Sequence, residues 1–233
     1  MDNALRVEIE ALFDEAADGR HYACLGCSRN PQVGKTAFAR PCLDHYGIAK
    51  NGLLFVLRDP GASSGGASHS GKLCPIDNSD RTAGIIRRRL EQIRVPSELI
   101  CFSNAILHGY YDKNSRADNE KERKKCKMVL GDLIGLLQPK IVIALGLEAL
   151  RSVREILLQR EMPKPTVKEM AERQFSFECA RGSQILGLPH PAHEAPNLSP
   201  YKLRPDDAWG IVSRRVNSVF SANCIFRRPR PCP

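Results

Sequence analysis

A chain of 233 residues with 42% hydrophobic and 26% charged residues, 17 glycines and 16 prolines has the composition of neither a disordered, a collagen-like nor a membrane protein. It is long enough to bury one full core without disulfides or a metal to hold it together. Lysine and arginine outnumber aspartate and glutamate by 35 to 26, and the resulting net charge of +9 favours a polyanionic partner, nucleic acid first.

The first element is an amphipathic helix, with Leu5, Ile9, Leu12, Phe13 and Ala16 at helical spacing and Gly19 as its stop. From His21 to Asn51 the chain is irregular, carries Cys24, Cys27 and Cys42, and needs something to hold it down. Leu53 to Leu57 is a continuous apolar run of the kind buried on both faces in a parallel sheet. The Gly/Ser-rich stretch from Ala62 to Ser79 reads as a loop. A helix over 82–93, a strand over 99–102, a long helix over 119–137 and a strand over 141–145 follow. Then come Gly146, a helix over 147–159, short strands over 175–179 and 184–187, and a closing helix over 206–220. This order predicts a single α/β domain over residues 1–220, a three-layer α/β/α fold with a short, mainly parallel central sheet, followed by a basic Pro/Arg tail over 221–233.

No run approaches the roughly 18 apolar residues of a membrane span, and no apolar export segment follows Met1. The expectation is a cytoplasmic monomer with no membrane partner. Its nine cysteines then read as metal ligands or buried small residues rather than as disulfides.

In parallel α/β sheets, function collects at the carboxyl ends of the strands. Those positions hold Asp59, Asn104, Gly146 and His190. Singly, Asp-Pro-Gly is a turn signal, Asn a common strand end and His-Pro a loop cap. Together they bring a carboxylate, a carboxamide and an imidazole to one edge. The segments Leu57-Arg58-Asp59-Pro60-Gly61, Asn104-Ala105-Ile106-Leu107, Gln138 to Gly146 (QPKIVIALG) and His190-Pro191-Ala192-His193 resemble the motifs of the uracil-DNA glycosylase superfamily. QPKIVIALG resembles its iron-sulfur members most literally. The stretch from Ser70 to Ala83, with Gly71, Leu73, Cys74, Asn78, Asp80, Thr82 and Ala83, looks like a bacterial subgroup of that superfamily.

The resemblance implies a monofunctional DNA N-glycosylase of base excision repair, without a nucleotide cofactor, that flips uracil or a related deaminated base out of DNA. The chemistry fits those residue types. Cleavage passes through an oxocarbenium-like sugar and a departing base anion, so Asp59 would orient water and stabilise the cation, and His190 would donate to the base O2. Asn104 can accept from uracil N3–H while donating to O4, a pattern that cytosine reverses. Arg58, Pro60, Gly61 and His193 fall in the same motifs as substrate-binding positions. His193 and Leu198 are alternative wedges into the duplex. One departure stands out: no Phe, Tyr or Trp lies between Pro60 and Cys101, where relatives stack the flipped base, which leaves His69, Leu73, Ile76 or Tyr110 as substitutes. A DNA-binding relative without turnover and a free-nucleoside hydrolase are the rival readings.

Cys24-x-x-Cys27 has a chelating spacing. By resemblance to the iron-sulfur members it would be joined by His108, four residues after Asn104, and by Cys126, giving a Cys3His [4Fe-4S] cluster. Zinc, or no metal with Cys126 an ordinary core residue, are the alternatives. Arg87 to Arg89 and Lys121 to Lys127 read as solvated charge runs, and Arg227, Arg228 and Arg230 in the tail as phosphate contacts.

Overall fold

The computed structural model describes residues 3–25, 36–46, 49–60, 71–110 and 119–224. Among them the helices are α1 (Asn3–Ala17), α2 (Arg81–Leu90), α3 (Asn119–Leu137), α4 (Leu147–Leu158), α5 (Val167–Glu172), α6 (Glu194–Leu198) and α7 (Pro205–Cys224). The strands are β1 (Thr36–Phe38), β2 (Arg40–Pro41), β3 (Leu53–Leu57), β4 (Lys72–Leu73), β5 (Ile100–Asn104), β6 (His108–Tyr110), β7 (Ile141–Leu145), β8 (Ser176–Ala180) and β9 (Ser183–Leu188). No described helix is long and apolar enough to cross a membrane.

The central sheet runs β5-β3-β7-β9-β8. Its first four strands are mutually parallel, and β8 pairs antiparallel to β9 at the edge. The apolar runs β3 and β7 hold inner places, whereas β5 is at one edge of the sheet and is still buried throughout. Every residue of β7 is buried, and burying a Val, Leu or Ile side chain contributes about 1.5–3 kcal/mol. β8, only part-buried, forms the other edge. One register row crosses four strands as Ser103, Val56, Ala144 and Gly187. Asn104, Asp59, Gly146 and His190 all lie just beyond that row, on one edge of the sheet.

Helix α4 packs on β7 and β9. Gly187 permits this approach, because a Cβ there would sit 2.8 Å from Leu150 Cδ2 and 2.9 Å from Phe177 Cε2. Helix α3 packs against both α1 and α4. The mixed α/β fold, with helices interspersed along a multi-stranded sheet, is consistent with a generic α/β/α architecture.

Two sequence expectations change. The closing helix continues past Phe220 to Cys224, so 221–224 belong to α7, while 225–233, including the tail arginines, lie outside the described residues. The charge run on α3 is not uniformly solvated. Arg123 is 1% exposed and donates to Ser152 Oγ at 3.2 Å and to Glu155 Oε2 at 2.9 Å, and Lys127 donates to the same Glu155 oxygen at 2.9 Å. Arg87 and Arg89 are likewise structural. Arg87 donates to the Pro75 and Asn78 carbonyls, and Arg89 bridges Glu194 and Asp206.

Candidate functional site

The parallel ladder runs on past the strand ends. Ala105 N–H donates to the Leu57 carbonyl and Ile106 N–H to the Arg58 carbonyl, both at 2.8 Å, which clamps the turn after β5 against the turn after β3. Gly146 N–H donates to the Leu188 carbonyl at 2.7 Å and does the same for β7 and β9. Gly146 has φ +109, and a Cβ there would lie 3.5 Å from His190 Cβ, so the start of α4 and the imidazole share a space that suits glycine.

Asn104 is 0% exposed, and neither its Oδ1 nor its Nδ2 has a hydrogen-bond partner among the described residues. Leaving a buried polar group unpaired costs about 1–3 kcal/mol, so an amide with both ends unpaired is one that folding alone does not account for. Asp59 is half-buried on the neighbouring strand end, and Arg58 Nε donates to its Oδ1 at 2.8 Å. Its Oδ2 is left free of any such contact among the described residues. Pro60 is buried behind it, and Gly61 lies outside the described residues.

His190 opens the short turn Pro191–His193, and its Nδ1 accepts from Ala192 N–H at 3.3 Å. That bond assigns the proton to Nε2 in the neutral ring. Burial, then the neighbouring Arg58 and His193, hold its pKa down at about 4, against the opposing pull of Asp59 and Asp80. Near neutral pH His190 is therefore an uncharged Nε2–H donor. Asp80 is nearby because it caps α2, accepting from Ala83 N–H at 3.0 Å, and α2 packs on the Pro191–His193 turn.

A crevice of about 550 Å³ opens beside these groups, lined by Arg58, Gly146, Glu148, Lys164, His190 and His193 among others. It unites three of the expected positions, Arg58, His190 and His193. Asp59 and Asn104 do not line it, and Asn104 is enclosed in this conformation. Of the two wedge candidates, Leu198 is fully buried in α6, whereas His193 is exposed, its ring 5.9 Å from that of His190. Leu198 therefore cannot enter a duplex while its segment stays folded. That segment is firmly held, since Glu194 accepts from Trp209 Nε1 at 2.8 Å and from Arg89 at 3.4 Å. Among the stacking substitutes, Leu73 is buried and Ile76 is 50% exposed, while His69 and the Tyr110 side chain lie outside the described residues.

Sequence reasoning missed Glu148 and Lys164, which pair across the crevice at 2.6 Å. Glu148 stands two residues after Gly146, close enough to a strand end to have been included. Helix α5 was missed too, although Thr166 and Glu169 have the spacing of an N-terminal cap, and Thr166 Oγ1 does accept from Glu169 N–H at 3.1 Å.

The expected Cys3His cluster is corrected. Among the described residues, the group whose ligand atoms lie within 4.8 Å of one another is Cys42, Cys74 and Asp77, not Cys24, His108 and Cys126. Cys27 lies outside the described residues. Cys126 instead receives the Leu107 N–H at 3.5 Å, and the His108 ring packs edge-on to Phe38 at 5.2 Å. Cys101 is buried in β5 and Cys179 is exposed on β8. In comparisons with known proteins, no family model and no curated sequence matches the chain, so what this site does has to be read from its own geometry.

Proposed function

We propose that the strand-end constellation hydrolyses the N-glycosidic bond of uracil, or of a closely related deaminated base, in DNA. The observation that carries this reading is Asn104, a buried amide with donor and acceptor both unpaired among the described residues, one strand away from a carboxylate and two strands further from a neutral imidazole donor. Uracil presents N3–H and O4 as the complement of that amide, and cytosine leaves both ends mismatched. Because Asn104 is enclosed, the base reaches it only after its cover shifts, and only when flipped or single-stranded.

Arg58 fixes Asp59 through Oδ1 and leaves Oδ2 for a water. As the C1′–N1 bond breaks, that carboxylate faces the sugar cation. The water oxygen bonds to C1′, its proton passes to Asp59, and the electron pair of the broken bond leaves with the base. His190 Nε2–H donates to the base oxygen on which charge accumulates. A neutral donor suits this step, since it stabilises the anion without first having to gain a proton. The net charge of +9 supports a DNA partner.

A second reading, a damaged-DNA binder without turnover, is favoured by the lack of an aromatic residue between Pro60 and Cys101. Incubating the protein with single- and double-stranded oligonucleotides carrying one uracil, hypoxanthine, xanthine or thymine mismatch separates the two. Abasic product from uracil that disappears in Asp59→Asn supports hydrolysis. Salt-dependent binding with no abasic product at any enzyme concentration supports the binder.

A further inference from the structure

The two short strands β2 and β4 pair in parallel, with Arg40 opposite Lys72 and Pro41 opposite Leu73. Each strand is followed at once by a cysteine, Cys42 and Cys74, and three residues later by another metal-ligating side chain, His45 and Asp77. The same numerical offset that pairs the strands thus also aligns Cys42 with Cys74 and His45 with Asp77. The structure bears out both alignments. The two sulfurs and the Asp77 carboxylate lie within 4.8 Å of one another, and His45 Nε2 is 3.0 Å from Asp77 Oδ1. Both cysteines are buried, while Asp77 and His45 face outward with side chains 32% and 42% exposed.

We propose that Cys42, His45, Cys74 and Asp77 form a binding site for a single zinc-class divalent cation. Tetrahedral zinc with bonds of about 2.3 Å to sulfur sets two sulfurs about 3.8 Å apart, so Cys42, Cys74 and Asp77 need an inward shift of about an ångström at most, while His45, outside that group and held at 3.0 Å from Asp77, has to swing in from Asp77 as the fourth ligand. His45 and Asp77 exchange their mutual hydrogen bond for the metal. Each coordinating thiol releases its proton to solvent, so that one divalent ion replaces two protons. Two C-x-x-ligand pairs on adjacent strand ends form the chelating geometry that a pair of buried thiols alone lacks. The site ties the segment after β2 to the turn that precedes Asp80 and α2. None of its four residues is among those lining the strand-end crevice, and the proposal does not depend on the reading of that crevice.

The test uses the full chain purified under reducing conditions. Metal content is measured by plasma mass spectrometry, and Co2+ is titrated into the metal-free protein. The expected result is one zinc per chain and a Co2+ spectrum with thiolate charge-transfer absorbance and tetrahedral d–d bands. Both spectral features should vanish in Cys42→Ser and Cys74→Ser, and the d–d bands should shift in His45→Gln and Asp77→Asn. A second measurement on the wild-type chain does not depend on the variants folding. Peptide mapping after thiol alkylation should show Cys42 and Cys74 protected about tenfold when zinc is loaded. Failure to bind zinc or Co2+, stoichiometric zinc without protection of these two cysteines, or a Cys42–Cys74 disulfide in the reduced preparation would overturn the proposal. So would a Co2+ spectrum indifferent to His45→Gln.

Discussion

Two buried polar groups, Glu155 on α4 and Asn104 at the end of β5, differ in one respect. Glu155 on α4 is enclosed and fully engaged: Arg123 and Lys127 donate to it at 2.9 Å, Arg151 at 3.1 Å and Met162 N–H at 3.4 Å. Burial pushes its carboxyl pKa up, but the hydrogen bonds from Arg123 and Lys127 outweigh that and leave it at about 2. Asn104 is equally enclosed and engages nothing among the described residues. A satisfied buried polar group is accounted for by the fold. An unsatisfied one is not, and on the strand edge that also carries Asp59 and His190 the function proposed above gives it a flipped base as partner.

Substitutions sharpen this contrast, beginning with the largest effect. Asp59→Asn removes the water-orienting carboxylate and should slow single-turnover excision by about 10²–10⁴-fold, with thermal stability little changed. Glu155→Ala should do the reverse, costing about 3–5 kcal/mol in urea unfolding because buried Arg123 loses the carboxylate it holds at 2.9 Å. Excision measured well below the unfolding midpoint should be retained. His190→Phe, which keeps the ring and loses the donor, should cost about 10²–10³-fold in excision rate.

A smaller effect concerns pH. His190 stays neutral down to about pH 4, whereas an imidazole in the unfolded chain takes up its proton near 6.5. Between these values the unfolded state binds the extra proton. Stability is therefore full above pH 6.5 and falls as pH drops toward 4, by up to about 3 kcal/mol from this group. His190→Phe should remove that part of the slope, and the imidazole signals of His190 should show no titration between pH 6 and 8 by NMR. A His190 that titrates near 6.5 would remove the neutral-donor role.

The parallel sheet was legible because β3, β5 and β7 are short continuous apolar runs, and the ends of β3, β5 and β9 named Asp59, Asn104 and His190 before any geometry. Other features were not legible, for physical reasons. A charge run cannot reveal that Arg123 points inward, because Glu155, which holds it, lies 32 residues further along the chain. Leu198 read as a candidate wedge because a loop and a one-turn helix look alike in sequence, yet it is packed into the core. The Cys42–Cys74 pairing depends on the register of two strands of two residues each, too short to carry a hydrophobic period. The equal spacing to His45 and Asp77 was the signal that was available.

The central claim, that Asn104 is held unpaired for a base, is tested most directly by Asn104→Leu, measured for stability and for uracil excision on the same preparation. Replacing an unpaired buried amide with an apolar side chain of similar shape should leave stability unchanged or raise it by about 1–2 kcal/mol, while uracil excision falls to background. A variant that loses stability and still excises uracil at the wild-type rate would contradict the account.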